Sequence, residues 1–480
     1  MTACVDLDQL QSQVQGNILR GYGSHYRAAR FLILEVVDAA QARAALALML
    51  NGDRSTPEIT PAACHPRAAK LDWCLNLGIT ARGLSALGLP QRLLDTFPPE
   101  FVEGMVARAA RLGDVGASAP GHWRAGLAQA ERVHLIVTIY GHELADITPR
   151  SEQVLDAQGG KAFRLVADPP LDGHVLVDPD GSTRRVHFGY VDGISQPRFE
   201  GIHERGQAVD RLPFAPLGSV LLGHPTALPH VMWGVPQPRQ LGYNGSFNAF
   251  RVLGQDVAKF EAFLARAATE ARGTGRVANA DDELVAAKLC GRWRSGAPLT
   301  LAPDAASIAD VDPQRYNRFD YPEHDGDGTR CPVGSHIRRS NPRGSQIVQR
   351  PAGRTRPIIR RGIPYGPDYA TDPSADRGLL GNFICANLSS QFEAIQYDWL
   401  NLGLQHPTIT GTNDALVGAN AGRGNRFIWP ISGGEPVVLT GLDQFVTTEG
   451  GAYCFLPSLP AIEWIAAEGW THAGWSASGH

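Results

Sequence analysis

The stretch Ser246-Phe247-Asn248-Ala249-Phe250-Arg251-Val252-Leu253 alternates between two faces like a β-strand, and residues 255–267 continue it directly as an amphipathic helix. A period of two followed at once by a helical period is typical of a strand that runs straight into a helix. A second such unit lies at residues 383–388, which read as a strand, and 390–402, which read as a helix. The second half of the chain is therefore predicted to mix strands and helices.

The first half of the chain shows the same mixture of predicted strands and helices. Residues 31–37, 75–79 and 134–140 are predicted strands, and residues 39–50 and 100–112 are predicted helices. Strands well separated in sequence and interleaved with helices favour an α+β architecture of two related ferredoxin-like halves packed together. The Pro/Gly-rich stretch Pro213 to Pro238 is the predicted junction, which divides the chain into residues 1–212 and 213–480.

The bulk composition excludes several classes of protein. The 480 residues carry a net charge of -4, which gives no electrostatic case for nucleic acid or an anionic membrane. Seven cysteines without C-x-x-C pairs favour reduced thiols. With no apolar spanning run and no basic or apolar leader at the start, we predict a cytoplasmic protein with no nucleic-acid or membrane partner. A homo-oligomer is compatible with the sequence, which leaves the oligomeric state open.

One candidate for chemistry is Gly189-Tyr190-Val191-Asp192-Gly193, continued by Ile194-Ser195-Gln196-Pro197. It places one carboxylate between two glycines, after residues 186–188, which are predicted to form a short strand. A glycine on each side lets the backbone turn tightly and lets a large group come close. Taken alone, such a turn is more often an ordinary loop with a solvated aspartate.

A second candidate is the segment from Cys331 to Arg343, which contains His336. His336 has no histidine or cysteine partner at zinc-finger spacing. The residue is therefore a solvated surface histidine, a core histidine with both nitrogens bonded, or the single protein ligand of a haem iron. Three arginines close behind it suit haem propionates or another dianion: Arg338, Arg339 and Arg343.

A third candidate is Arg360, which follows two β-branched residues and precedes a glycine turn. By itself this is a strand end with a solvated charge. An isolated acid, a lone histidine and a strand-end arginine are together the parts that a haem peroxidase requires. The iron needs one axial ligand, peroxide needs a group that moves its proton, and the departing oxygen needs a cation.

In this order the motifs resemble those of the dye-decolorising (DyP-type) peroxidase family. Residues 189–193 resemble the family's G-x-x-D-G motif, residues 331–343 the segment of the proximal histidine, and residues 360–366 that of the distal arginine. Weaker similarity at 15–23, 79–89, 247–264 and 287–298 extends the resemblance over most of the chain. It implies a dimeric α+β barrel-type fold and one haem b (iron protoporphyrin IX) per chain.

The resemblance also implies roles for particular residues. His336 corresponds to the iron ligand, and Asp192 to the distal acid and base. Arg360 corresponds to the distal cation and is preferred over Arg361 because it holds the family position just before the x-Gly turn.

Four further residues complete the predicted site. Arg343 is the candidate partner of a propionate, and Gly189 and Gly193 let the backbone approach the porphyrin. Glu393 is predicted to accept the second ring N–H of His336, the alternative being a plain acid on a helix surface.

The activity implied by the resemblance is that of a haem peroxidase. Such an enzyme reduces hydrogen peroxide via a ferryl intermediate and oxidises dyes, phenols or similar small aromatic one-electron donors. An alternative is a haem-binding or haem-handling protein of the same fold without significant peroxidase turnover. A third alternative, without haem, is an α+β protein whose arginine cluster binds an anionic partner.

Overall fold

The computed structural model describes residues 6–22, 25–52, 57–64, 71–124, 126–178, 181, 183–199, 202, 214–227, 230–345, 347, 356–422 and 424–472. Within this part of the chain the strands, in order, are β1 Ala28–Val36, β2 Trp73–Ile79, β3 Leu135–Gly141, β4 Phe163–Leu165, β5 Leu171–His174, β6 Leu176–Val177, β7 Arg184–Arg185, β8 Ser246–Gln255, β9 Ile359–Tyr365, β10 Gly378–Cys385, β11 Phe427–Trp429, β12 Val437–Leu439 and β13 Val446–Leu456.

The longer helices pack around these strands and follow the periodicity of the sequence. They span Leu7–Gln13, Ala39–Asn51, Leu144–Leu155, Val257–Gly273, Asp282–Cys290, a wide π-type helix at Leu388–Asn401, and Leu459–Ala466. Shorter helices span Gly16–Leu19, Ala81–Ala86, Gln91–Leu94, Pro99–Glu103, Ala109–Leu112, Ala157–Gly160, Arg239–Gly242, Tyr321–Asp325, His336–Ser340 and Gly469–His472. None of the helices in the described ranges is both long enough and apolar enough to cross a lipid bilayer.

The main sheet joins the two halves of the chain. Its strands follow the order β4-β1-β3-β2-β13-β8-β10-β9, with β5 also paired to β1, and the registered pairs are antiparallel. Phe455 of β13 pairs with Ile79 of β2, which connects the halves on one side. Gly173 of β5 packs against Ile363 of β9, so the far end of the sheet returns to the first half. The α+β class is confirmed, and the sheet curls into a barrel.

The two faces of the second-half strands have different roles because side chains alternate along a strand. Phe250 of β8 points into the barrel, where its ring lies 5.3 Å from that of Phe31 on β1. Its neighbours Arg251 and Leu253 point outward and line a large cavity. Phe383 of β10 lines the same cavity. The barrel interior holds the core, and its outer face forms a wall of the site.

The structure corrects two predicted elements. The helix expected over 100–112 is divided, because Gly104 adopts a left-handed φ of 80° and ends the helix Pro99–Glu103. Residues 186–188 are not a strand: the Gly189 N–H donates to Val186 O at 2.8 Å, and the chain turns there. The proposed domain boundary between residues 212 and 213 lies outside the described residues and stays a prediction.

Candidate active site

A cavity of about 950 Å³ lies against the outer face of the second-half strands. Its volume is in the range of sites that enclose a small molecule or cofactor, about 300–1,000 Å³. The walls are largely apolar, and side chains from the barrel and from the wide helix face each other across it: Leu253, Leu379, Phe383, Phe392, Ile395 and Val446. Many polar and charged residues also line the cavity, and the sequence-predicted His336, Arg343 and Arg360 are among them.

His336 opens the short helix His336–Ser340 and faces the cavity with 29% of its side chain exposed. The preceding Ser335 fixes the start of this helix, because its hydroxyl donates to the backbone oxygen of Lys288 at 2.5 Å. The Nδ1 atom of His336 lies 3.2 Å from Oδ2 of Asp414. With Nδ1 held by a carboxylate, Nε2 is the nitrogen available for a ligand bond.

Asp414 is fully buried and is itself held in place. Its Oδ1 accepts the backbone N–H groups of Leu416 and Val417, each at 2.9 Å. Burial alone would raise the pKa of Asp414, but the charges and hydrogen bonds of His336, Arg339 and Val417 outweigh it and lower the pKa. The ionised carboxylate therefore accepts from His336 Nδ1, which orients the ring and makes it a stronger ligand.

Glu393 does not bond His336, so the pairing predicted from the sequence is wrong. The Glu393 carboxylate is fully buried and accepts two bonds from Arg108, at 2.5 and 2.6 Å. Tyr453 donates a third bond to it at 2.9 Å. The physical reason is that Glu393 lies on the side of the wide helix Leu388–Asn401 that faces Arg108. Its carboxylate is occupied by the ion pair with Arg108.

Of the three arginines behind His336, only Arg343 lines the cavity. Arg338 is buried and donates to Cys331 O at 2.7 Å and to Asp325 at 3.1 Å. Arg339 is 1% exposed and donates to four oxygens of Gly334, Trp399 and Thr412, so it anchors the short helix that carries His336. Of the three arginines expected to suit a dianion, only Arg343 is therefore placed to bind one in the cavity.

Arg343 lies at the edge of the cavity, where Asn317 and Ser195 contact its guanidinium. Its Nη1 donates to the backbone oxygen of Asn317 at 2.9 Å, and its Nη2 donates to the Asn317 side chain at 3.1 Å. Nη2 also lies 3.4 Å from the hydroxyl of Ser195. The guanidinium covers the ring of Phe319 at 4.3 Å, a cation–π arrangement.

Asp192 lies beside this cavity on the glycine turn. The N–H of Gly193 donates to its carboxylate at 2.7 Å. Enclosure by the surrounding protein raises the pKa of Asp192 above that of an ordinary aspartate, although Gly193, Arg360 and Arg184 act in the opposite direction. By its accessible surface Asp192 is nevertheless an exposed residue. A raised pKa suits a group that must both take and return a proton.

Arg360 and Arg361 point to opposite faces of β9. Arg360 lines the cavity and donates to the backbone oxygen of Ser195. Arg360 is exposed to the open cavity, but the protein around the cavity lowers its pKa, and Arg343 adds to this effect while Asp192 opposes it. Arg361 instead donates to the backbone oxygens of Asn17 and Ile18. The geometry therefore supports the choice of Arg360 as the cavity cation.

The two motif glycines differ in what surrounds them. Both adopt left-handed φ values, 83° for Gly189 and 77° for Gly193, as a tight turn requires. A side chain on Gly189 would meet Arg294 at 3.1 Å, so this glycine makes room for an arginine and not for a cavity ligand. A side chain on Gly193 would meet no described atom within 4 Å. Gly193 alone retains room for a bulky group beside it.

Sequence reasoning missed Asp414 and Asn317. Asp414 lies 78 residues after His336 in a loop, and the chain offers many aspartates with the same local features. Asn317 lies in the arginine-flanked segment Arg315-Tyr316-Asn317-Arg318, which carries no recognisable motif. Nothing in the sequence alone distinguished either residue.

Comparisons with known proteins identify the family to which this chain belongs. The family described as the DyP dimeric alpha+beta barrel domain matches residues 13–167. "Peroxidase 2" of Mycetinis scorodonius is 32% identical, with 96% of this chain and 88% of that protein covered. "Multifunctional dye peroxidase DyP2" of Amycolatopsis sp. is 30% identical, with 95% of each covered. A dye-decolorizing peroxidase structure in complex with 2,6-dimethoxyphenol has 29% identity and a TM-score of 0.75, covering 95% of this chain and 99% of that one.

The fold and these relatives define the protein as a peroxidase. The chain belongs to the dye-decolorising peroxidase family, whose members are haem enzymes. The sequence-based predictions of family, fold class and enzyme class are thereby confirmed.

Proposed function

We propose that the cavity holds one haem b per chain, with His336 as the iron ligand. A single observation carries this proposal: a histidine whose Nδ1 is held by a buried carboxylate faces a cavity that Arg360 also lines. The donor set fits the group, since His336 Nε2 would be the one protein ligand that a haem iron needs. The apolar walls suit a flat macrocycle, and Arg343 supplies a cation at the cavity edge for a propionate.

Asp192 and Arg360 then perform the proton and charge work of peroxide reduction. When bound, haem supplies an iron that takes two oxidising equivalents from peroxide and passes them on one electron at a time. Asp192 accepts a proton from one oxygen of hydrogen peroxide and returns it to the other, which departs as water. Arg360 stabilises the negative charge that develops on the departing oxygen. A positioned acid and base contributes about 10²–10⁴ in rate.

The proposed donors are dyes and phenols. Several relatives are named for dye decolorisation, and one solved relative was obtained in complex with 2,6-dimethoxyphenol. The donor gives up single electrons, so it needs no covalent attachment to the protein.

The spectrum of the purified protein, with and without peroxide, tests the proposal. We expect a Soret band in the wild-type protein after haem addition and its loss or marked displacement in His336→Ala. Peroxide should change the spectrum, and 2,6-dimethoxyphenol should restore it. A protein that stays colourless with haem would overturn the cofactor assignment. A normal haem spectrum without peroxide-dependent oxidation of the phenol would favour the haem-handling alternative.

Three statements made from the sequence remain predictions. The cytoplasmic location can be checked by cell fractionation, and the oligomeric state by sedimentation velocity. The division into halves at residues 212 and 213 can be checked by limited proteolysis, which should cleave near that boundary.

A further inference from the structure

Asn317 connects the two parts of the cavity that the proposed function uses. It is 5% exposed and lines the cavity. On one side it binds Arg343, the cation proposed for a propionate, through both its backbone oxygen and its side chain. On the other side its Nδ2 donates to the backbone oxygen of Ile194 at 2.7 Å. Ile194 is the second residue after Asp192 on the same turn.

The orientation of the Asn317 amide is fixed by charge. Its Oδ1 accepts from the guanidinium of Arg292 at 2.8 Å as well as from Arg343. Two cationic donors meet at this atom, so it must be the oxygen, and the nitrogen must face Ile194. Arg292 is itself 6% exposed, and its other bonds go to the backbone oxygens of Gly296 and Tyr316. The amide therefore has one orientation with well-matched partners.

The next residue of the turn provides a parallel connection. Ser195 accepts a bond from Arg360 at its backbone oxygen, and its hydroxyl lies 3.4 Å from Arg343. The short segment 194–195 thus contacts Arg360, Arg343 and the side-chain amide of Asn317. A shift of Arg343 toward or away from a bound carboxylate would be transmitted to this segment through at least one direct hydrogen bond.

We propose that Asn317 is a positioning residue that couples the anion site at Arg343 to the distal pair Asp192 and Arg360. A carboxylate bound to Arg343 holds the guanidinium in place, and Asn317 then holds the turn that carries Asp192. The inference rests on the proposed haem site and adds that the two ends of that site bind cooperatively.

Cyanide affinity of the ferric haem protein tests this coupling without measuring turnover. Cyanide binds the open iron position, so its dissociation constant reports on the distal pair. Apoprotein is loaded either with protohaem or with haem dimethyl ester, whose side chains carry no charge, and cyanide is titrated by the Soret shift. In the wild-type protein we expect the ester to weaken cyanide binding by about fivefold or more, the low end of typical coupling between linked sites.

The same titration on Asn317→Ala separates positioning from mere structural support. Cyanide binding should already be weaker with protohaem, and the ester should change it less than in the wild type, because the connection through Asn317 is lost while the 3.4 Å contact through Ser195 remains. Asn317→Asp retains an acceptor for the arginines but cannot donate to Ile194, so it should show the same reduced ester effect. Asn401→Ala is the matched control: Asn401 is buried and bonds Leu112 O and the Ala419 N–H, and its variant should keep the full ester effect.

Two outcomes overturn the inference. One is a wild-type protein that binds cyanide equally well with haem and with its ester, which decides the matter even where the variants fail to fold. The other is an ester effect of the same size in the wild type and in Asn317→Ala, which shows that the coupling does not run through Asn317. Failure of the proposed function is recognised separately. If haem causes no Soret shift with the wild-type protein, haem does not bind and the proposed function itself is wrong.

Discussion

Replacing Asp414 by asparagine probes the contact that orients His336. Asparagine has almost the same shape, and its side-chain oxygen can still accept the N–H groups of Leu416 and Val417. The loss is therefore concentrated on the 3.2 Å contact between Oδ2 and His336 Nδ1, where an amide N–H would face the ring N–H. To avoid this clash the ring must take the other tautomer, which places the proton on the nitrogen needed for the iron.

The size of the effect follows from the bond that is lost. A hydrogen bond to a charged group contributes about 1.5–3 kcal/mol. Loss of the partner that orients a metal-ligating histidine lowers affinity about 10- to 100-fold. At about 1.4 kcal/mol per factor of ten these two figures agree. We therefore expect Asp414→Asn to bind haem about 10- to 100-fold more weakly. Its ferric/ferrous midpoint potential should also become more positive, because the imidazole donates less charge.

Competition with excess apomyoglobin, followed by the Soret band, measures the haem affinity, and a spectroelectrochemical titration gives the potential. Glu393→Gln is the matched control, since Glu393 is equally buried but bonds Arg108 and Tyr453. That variant should lose folding stability while retaining the haem affinity and potential of the folded protein. The reasoning is refuted if Asp414→Asn matches the wild type in both measurements, or if Glu393→Gln shows the larger shift.

Three further predictions concern residues that line or adjoin the cavity. Arg360→Leu should slow the reaction with peroxide about 10²–10³-fold, the usual cost of one lost charge-stabilising donor. Stopped-flow spectroscopy should find the rate nearly unchanged in Arg361→Leu, and equal slowing of both would remove the assignment. Because enclosure raises the pKa of Asp192, and the carboxylate is the active form, the peroxide reaction should fall with decreasing pH through a midpoint above that of an ordinary aspartate, about 3.9. Arg360→Leu should move that midpoint higher still, since the guanidinium lowers the pKa, and a downward move would contradict the geometry. Asp114→Asn leaves the buried guanidinium of Arg251 without its charge partner and should reduce the free energy of unfolding by about 3–5 kcal/mol. Urea denaturation checks this value, and a loss below about 1 kcal/mol, as for a surface pair, would show that the pair is not truly desolvated.

The sequence by itself predicted most of the strands and helices and the three principal candidate residues, although the helix expected over 100–112 is divided and residues 186–188 form a turn. The alternation at residues 246–253 predicted β8, and the continuing helical period predicted the helix Val257–Gly273. The order of three short motifs singled out Asp192, His336 and Arg360, because their residue types are fixed by the chemistry of an axial ligand, a proton carrier and a cation. Such local patterns can be recognised in the sequence because they depend on residues that are close together in the chain.

The tertiary structure decided which groups meet. Arg360 and Arg361 are adjacent in sequence, and only the pleat of β9 sends one to the cavity and the other toward Asn17 and Ile18. The choice between Asp414 and Glu393 likewise depended on folding, because both are acids distant from His336 in sequence. The contact at Asp414 and the bridge through Asn317 span 78 and 123 residues. Such long-range hydrogen bonds depend on how the strands and loops close around the cavity, and no local pattern of residues encodes that closure.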